Sequence, residues 1–241
     1  MTRLHLPAPL SAGQELPLPE AAFRHLVQVL RMQAGDTFVV FNGEGGESAA
    51  TLAQVEKKRA VAQIGAHVPV DRESPLDLRL AQCVSKGERM DITIQKAVEL
   101  GVTCIQPLLS QRSVVRMDAE RWDRKLEHWQ GVIISACEQS GRTRVPALQP
   151  VLPLAAWLDR GDFGTGLTLD PEAAQGLQAL PAPAGAVTLL VGPEGGLSPD
   201  ELAQATRAGL IGLRMGPRVL RTETAGMAAL AALQAQWGDW R

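Results

Sequence analysis

Two segments in the C-terminal third combine residue types suited to close approach of a ligand. Val191 runs into Gly192-Pro193-Glu194-Gly195-Gly196-Leu197-Ser198-Pro199, and Met215 runs into Gly216-Pro217-Arg218-Val219-Leu220-Arg221-Thr222-Glu223-Thr224-Ala225. Each pairs a proline of fixed φ with glycines that permit positive φ and bare the backbone. Unpaired main-chain N–H and C=O groups in such loops can read the edge of a flat heterocycle such as adenine, although tight turns use the same residues. The second loop adds the guanidinium groups of Arg218 and Arg221 and the carboxylate of Glu223, which can hold a phosphate, stabilise an anion or take a proton. Other nucleotide chemistry is excluded by spacing. There is no G-x-x-x-x-G-K-[ST] run, and Gly192 to Gly196 lacks the G-x-G-x-x-G pattern, so ATP hydrolysis and dinucleotide binding fall away.

These loops need strands to carry them. From Leu76 the pattern alternates: a strand to Val84, a helix over Met90 to Leu100 stopped by Gly101, and a strand from Val102 to Leu109. Asp118 is placed to cap a long helix whose stripe is Trp122, Leu126, Trp129 and Ile133, with both indoles against a core. Strands at Gly166 to Leu169, Val187 to Val191 and Ile211 to Met215 follow, with a helix end near Leu177. A helix over Pro199 to Ala208 and a last one from about Glu223 to Trp237, with Thr222 as N-cap, complete the series. Strands separated by helices imply a parallel sheet, and ligands in such sheets sit at the carboxyl ends of the strands.

Residues 1 to about 70 read differently. After a short helix around Glu20 to Leu30, Asp36 to Phe41 is a β-rich run stopping at Asn42-Gly43, a hairpin signal. Ser48 to Val55, the Lys57-Lys58-Arg59 turn and Ala60 to Ile64 continue it, and a small β-barrel or sandwich is the economical reading. Pro69 to Pro75 reads as a linker, which gives an expected β-rich domain over 1–70 and an α/β domain over 76–241.

Composition narrows the class. The formal charge of −2 in 241 residues argues against indiscriminate coating of nucleic acid but leaves room for a local basic face. No apolar run is long enough for a signal-peptide core or a membrane helix, so the expected location is cytoplasmic. Cys83, Cys104 and Cys137, odd in number and far apart, read as reduced thiols, with no metal expected.

Together the two loops resemble the paired signature of the small-subunit (16S) ribosomal RNA uridine-N3 methyltransferases, a family of the SPOUT class. Further matches are Lys86-Gly87-Glu88-Arg89-Met90, Gln95-Lys96-Ala97-Val98-Glu99-Leu100-Gly101 and Glu138-Gln139-Ser140-Gly141-Arg142. His25-Leu26-Val27-Gln28-Val29-Leu30-Arg31 is similar to part of the family's PUA-like domain. The resemblance covers nearly the whole chain. It implies a trefoil-knotted parallel-sheet domain preceded by a small PUA-like β-barrel, S-adenosylmethionine bent in the knot, and a homodimer with its active site at the subunit interface. Carried over residue by residue, Val191, Gly192, Gly195, Gly196 and Leu197 line one wall of the cofactor pocket. Met215, Gly216, Leu220, Thr222, Thr224 and Ala225 line the other, and Leu169 supplies a third edge. The last helix, with Ala225, Ala228, Ala229, Ala231 and Ala232, suits a subunit interface or a tight core.

A uridine N3 is a poor nucleophile until its proton leaves, and positive charge near O2 or O4 stabilises the resulting anion. Arg221 is the candidate for that role, or else a phosphate ligand with Arg218. Glu223 is a candidate for the proton, or else a carboxylate favoured at a helix N-terminus. Glu194 reads as a brace for its loop. Carbon methylation would need a cysteine adding to the base ring, and Cys137 beside the apolar Val132 to Ala136 stretch reads as buried and inert, which favours N3. RNA capture falls to Arg3, Arg24, Arg31 and the Lys57-Lys58-Arg59 turn in the first domain and to Arg112, Arg116, Arg142, Arg144 and Arg218 in the second. The expected partner is 16S rRNA or the small ribosomal subunit, recognised by shape, since aromatic residues make up 4% and tyrosine is absent. The alternatives are a non-catalytic RNA-binding assembly factor and a SPOUT methyltransferase acting on another RNA.

Overall fold

A computed structural model describes residues 1–113 and 118–240. By its contacts the chain divides into two units, Met1–Glu73 with Cys137–Val145, and Ser74–Ala136 with Pro146–Arg241. The segment 137–145, which follows the linear order into the second domain, packs with the first.

The first unit holds β1 (Arg3–His5), β2 (Glu15–Pro17), α1 (Glu20–Phe23), a π-helical turn (Arg24–Val29), β3 (Thr37–Phe41), β4 (Glu47–Val55) and β5 (Ala60–Val68). The sheet runs β1-β3-β4-β5-β2, with β1 parallel to β3 and every other pair antiparallel. Alternation along the strands sends Leu4, Phe38, Val40, Leu52 and Ile64 into one core with Leu26. The hairpin marked by Asn42-Gly43 has five connecting residues rather than two. Gly43, Gly45 and Gly46 all adopt positive φ there (92°, 110° and 70°), so the longer loop takes its bend from three glycines.

The second unit comprises β6 (Leu78–Cys83), α2 (Glu88–Glu99), β7 (Cys104–Leu109), α3 (Ala119–Ser140), β8 (Ala147–Leu148), β9 (Leu152–Pro153), α4 (Leu154–Leu158), β10 (Thr165–Leu169), β11 (Val187–Val191), α5 (Pro199–Arg207), β12 (Ile211–Leu213) and α6 (Thr222–Trp237). The C-terminal part of α3 belongs by contact to the first unit. Near Leu177 there is only a 3-10 turn over Leu177–Ala179. The strands pair in parallel in the order β12-β10-β11-β6-β7-β8, with β9 beside the end of β7. β11 is buried along its whole length, as a central parallel strand covered on both faces must be.

Chain order and spatial order part company at β6. β7 lies on one side of it, whereas β11 inserts on the other and separates it from β10. Such a reversal leaves a crevice at the carboxyl ends of the strands. The helices that flank it are firmly started. Asp118 Oδ1 accepts from Arg121 N at 2.9 Å ahead of α3, and Ser198 and Glu201 form a reciprocal capping box on α5. Glu201 is also tied to the β7 side through Gln111 N at 2.7 Å. On α3, Trp129 and Ile133 are fully buried, and the Trp129 indole donates to Asp91 Oδ1 of α2 at 3.0 Å. Trp122 is half-buried and tilted against Trp129.

Candidate active site

The carboxyl ends of β10, β11 and β12 open into a cavity of about 460 Å³. Of the residues expected to bind a cofactor, Leu169, Val191, Gly192, Gly196, Leu197, Met215, Gly216, Leu220, Thr222 and Ala225 all line it. All but Thr222 and Ala225, which stand on the first turn of α6, arrive at the end of a strand or in the loop leaving it, so parallel strand direction alone brings residues 169, 192 and 216 to one rim. Two others do not line it. Gly195 turns its carbonyl to Arg112 Nη1 at 2.8 Å, and Thr224 is exposed on the first turn of α6.

Glycine is favoured at two points for different reasons. A β-carbon on Gly192 would lie 3.1 Å from both Leu197 N and Leu197 Cγ, because the first loop folds back on itself. Gly216 has open space around its α-carbon but a φ of +88°, which L side chains rarely adopt.

Thr222 is not the N-cap of α6. Arg221 holds that position in an extended conformation without a side-chain cap, and Thr222 begins the helix. Its hydroxyl donates to Gly192 O at 2.6 Å and accepts from Gln82 Nε2 at 3.1 Å. The second loop is thereby tied to the first. Gln82, fully buried on β6, was not anticipated as a site residue; its signal is an amide within the apolar run Leu80-Ala81-Gln82-Cys83. The nitrogen of this buried amide finds its partners in the Thr222 hydroxyl and the Cys83 carbonyl, while its oxygen has none among the described residues.

Glu194 braces its loop as expected. Its Oε1 accepts from Lys86 N at 3.0 Å and from Arg89 Nη1 at 2.9 Å. Burial pushes the carboxyl pKa up, but its own backbone N–H, that of Lys86 and the Arg89 guanidinium together hold it below the usual glutamate value. Arg89, a cavity residue that carried no expected role, also approaches the other carboxylate, with Nε 3.9 Å from Glu223 Oε1. The Glu223 side chain is 16% exposed, and its buried Oε2 has no hydrogen bond among the described residues. Arg221 and Arg218 line the cavity and are exposed, with no hydrogen bond or ion pair from either side chain among the described residues. One wall therefore offers the Glu223 carboxylate, and the mouth offers two free cations.

The arginines expected to meet RNA divide. Arg3 and Arg142 are corrections. Arg3 binds Glu47 Oε2 and Gly141 O, and Arg142, 4% exposed, pairs with Glu73. Both guanidinium groups tie 137–145 to the rest of the first unit, Arg3 through the Gly141 carbonyl and Arg142 through the Glu73 carboxylate. Around Glu47, burial raises the carboxyl pKa, but hydrogen bonds from Arg72 and Arg3 hold it below the usual value. Arg112 braces the first glycine loop, and Arg24 pairs with Glu20 at 2.9 Å. Arg31 and Arg144 are exposed. Arg116 lies outside the described residues. Cys137 is buried, and burial pushes its thiol pKa up to about 11, the reverse of an activated nucleophile.

Comparison with known proteins places this geometry. A family model described as an RNA methyltransferase domain matches residues 72–234, and one described as an RNA methyltransferase PUA domain matches 18–65. The chain is 33% identical over 238 residues to the ribosomal RNA small subunit methyltransferase E of Buchnera aphidicola subsp. Schizaphis graminum, covering 98% of this chain and 97% of that one. To the protein of the same name from Bacillus subtilis it is 34% identical, over 88% of this chain and 86% of that one. The structure resembles that of ribosomal RNA small subunit methyltransferase E from Neisseria gonorrhoeae bound to S-adenosyl methionine. The TM-score is 0.96 and the identity 45%, with both chains fully covered.

Proposed function

The chain belongs to the RNA methyltransferase family whose model spans residues 72–234, and we propose that it methylates a uridine of 16S ribosomal RNA at N3. It is an S-adenosylmethionine-dependent methyltransferase of small-subunit ribosomal RNA, in line with its relatives from end to end. The observation that carries the finer reading is the convergence of both glycine loops and the end of β10 on one cavity that Glu223 and the exposed Arg218 and Arg221 also line.

The residues present fit the methyl donor. Gly192 lies where a β-carbon would strike the loop backbone, and the cavity combines apolar side chains with the bared backbone of two loops. In this reading Leu169, Val191, Gly192, Gly196 and Leu197 hold one side of the donor and Met215, Gly216, Leu220, Thr222 and Ala225 the other. When bound, S-adenosylmethionine supplies an electrophilic methyl group on a sulfonium.

The chain's own residues do the rest. The Glu223 carboxylate takes the N3 proton of the uracil. Arg221, free at the cavity mouth, sets positive charge against the O2 or O4 that becomes anionic. Arg218 holds a neighbouring phosphate. The two loops orient both reactants, and positioning supplies much of the rate. The buried, weakly acidic Cys137 thiol takes no part, which favours direct attack by nitrogen over a covalent route to carbon.

The family resemblance extends the reading to a trefoil knot, a homodimer and a cytoplasmic location. A pairing partner is supported by α6, where Ala228, Ala231, Ala232 and Trp237 remain half-buried on a helix that is apolar around its circumference. Among the described residues no helix is long and apolar enough to cross a membrane. The first unit serves as the RNA-binding domain. The decisive experiment incubates the protein with small subunits lacking the modification and a labelled methyl donor, then identifies the nucleoside by mass spectrometry. N3-methyluridine is expected; a carbon- or ribose-methylated product overturns the assignment.

A further inference from the structure

The helical segment of the first unit ends in an unusual way. α1 passes into the π-helical turn Arg24–Val29, where Leu30 N bonds His25 O and Met32 N bonds Leu26 O, each at 3.0 Å. The chain is released through one left-handed residue, the position where glycine normally terminates a helix. Here that residue is Arg31, at φ +58°, the only non-glycine with positive φ among the described residues. A β-carbon is disfavoured in this conformation, and glycine would end the helix without that penalty. Strain of this kind persists where the side chain is needed, and π-turns are frequent at functional sites.

Nothing among the described residues bonds the Arg31 side chain. It is exposed, with no hydrogen bond or ion pair among the described residues. Beside it Val29 is 64% and Leu30 43% exposed, whereas Leu26 on the inner side of the same turn is fully buried. A free cation flanked by two aliphatic side chains thus stands on the outside of a turn that the core anchors.

We propose that Val29, Leu30 and Arg31 form an RNA-docking edge, with the guanidinium on a backbone phosphate and the aliphatic side chains against the sugar and base of an unpaired nucleotide. Charge complementarity selects RNA as the occupant. Arg24 on the same turn is paired with Glu20, and Arg3 and Arg142 are turned inward, so Arg31 is the cation of this segment without an ion-pair partner among the described residues. The left-handed backbone fixes where the side chain starts, which limits the ordering cost of contact. The inference rests on the reading that the substrate is small-subunit ribosomal RNA.

The test compares wild type, Arg31→Gly and Arg31→Ala in binding to naked 16S rRNA and to assembled small subunits, across a salt series, with thermal melting alongside. Arg31→Gly is expected to melt at or above the wild-type temperature, because glycine relieves the backbone. It should nonetheless bind both RNA substrates about tenfold more weakly, with the log–log salt slope reduced by about 0.7 to 0.9 for the lost phosphate. Arg31→Ala should lose the same affinity without melting higher. Unchanged affinity and slope for Arg31→Gly overturn the proposal, as does a loss seen only with assembled subunits, which assigns the edge to a ribosomal protein. Binding is read without methyl transfer. A wild type that transfers no methyl group therefore defeats the catalytic reading, while the slope difference still decides the docking edge.

Discussion

The Thr222 hydroxyl donates to the carbonyl of Gly192 at 2.6 Å, a single bond across thirty residues of sequence that joins the two glycine loops of the pocket. It is held in line by Gln82, whose amide donates to the same oxygen at 3.1 Å. Thr222→Val keeps the shape and removes the hydroxyl, leaving a buried amide and carbonyl short of a partner. A cost of about 1 to 3 kcal/mol follows, read as a lower melting temperature together with weaker S-adenosylmethionine binding by calorimetry. Thr222→Ser should recover most of both. Equal donor affinity in wild type and Thr222→Val would show that the link between loops does not shape the pocket.

Gly216 separates conformation from collision. Nothing lies within 4 Å of an added β-carbon, yet φ is +88°. Gly216→Ala is therefore expected to cost about 1 to 2 kcal/mol through the backbone alone, and to weaken donor binding by displacing the second loop. Gly192→Ala acts through the 3.1 Å approach to Leu197 N and should deform the first loop directly. Calorimetric titration of both variants with S-adenosylmethionine checks the pair; donor affinity that survives both changes would remove the loops from the cofactor site.

Glu223 and Arg221 are expected to act on turnover more than on affinity. Glu223→Gln removes the carboxylate while conserving size, and its single-turnover rate should fall by about 10² to 10⁴. Arg221→Ala should fall by about 10² to 10³ if its charge meets the developing anion. Dissociation constants for the donor should stay close to wild type in both. A rate unchanged by Arg221→Ala, with weaker RNA binding instead, would reassign this guanidinium to a phosphate.

Glu194 gives the pocket a dependence on acid. Its pKa in the folded chain lies below the ordinary value of 4.5, so its bonds to Lys86 N and Arg89 stabilise the fold above that value and are lost as pH falls below it. The melting-temperature difference between wild type and Glu194→Gln is therefore expected to be full near neutrality and to shrink well below pH 4.5. A difference that persists undiminished in strong acid would mean that the charged form of Glu194 does not brace the loop.

Much of the site was legible along the chain. Val191 and Met215 end apolar runs, proline and glycine follow at once, and strands alternating with helices imply that all such ends share one edge. That reasoning brings both loops and the end of β10 to one cavity, and the ten cofactor residues that line it came from the family resemblance. It failed for Thr222, a threonine before a helix that reads as a cap and instead spends its hydroxyl on another loop. It failed also for Arg3 and Arg142, where type alone suggests RNA and burial against Glu47 and Glu73 dictates otherwise.

What the sequence by itself determined is therefore local: the periods that make β11 a buried strand and α3 an amphipathic helix, and the glycines that let two loops turn back on themselves. The tertiary structure alone decided which strands are neighbours, and with them the meetings of Arg89 with Glu194, Gln82 with Thr222 and Glu73 with Arg142. The physical reason is one of range. Backbone conformation and hydrophobic period are set by residues a few positions apart. Each of these contacts spans 69 to 140 residues and exists only because β11 inserts between β6 and β10 or because 137–145 packs with the first unit.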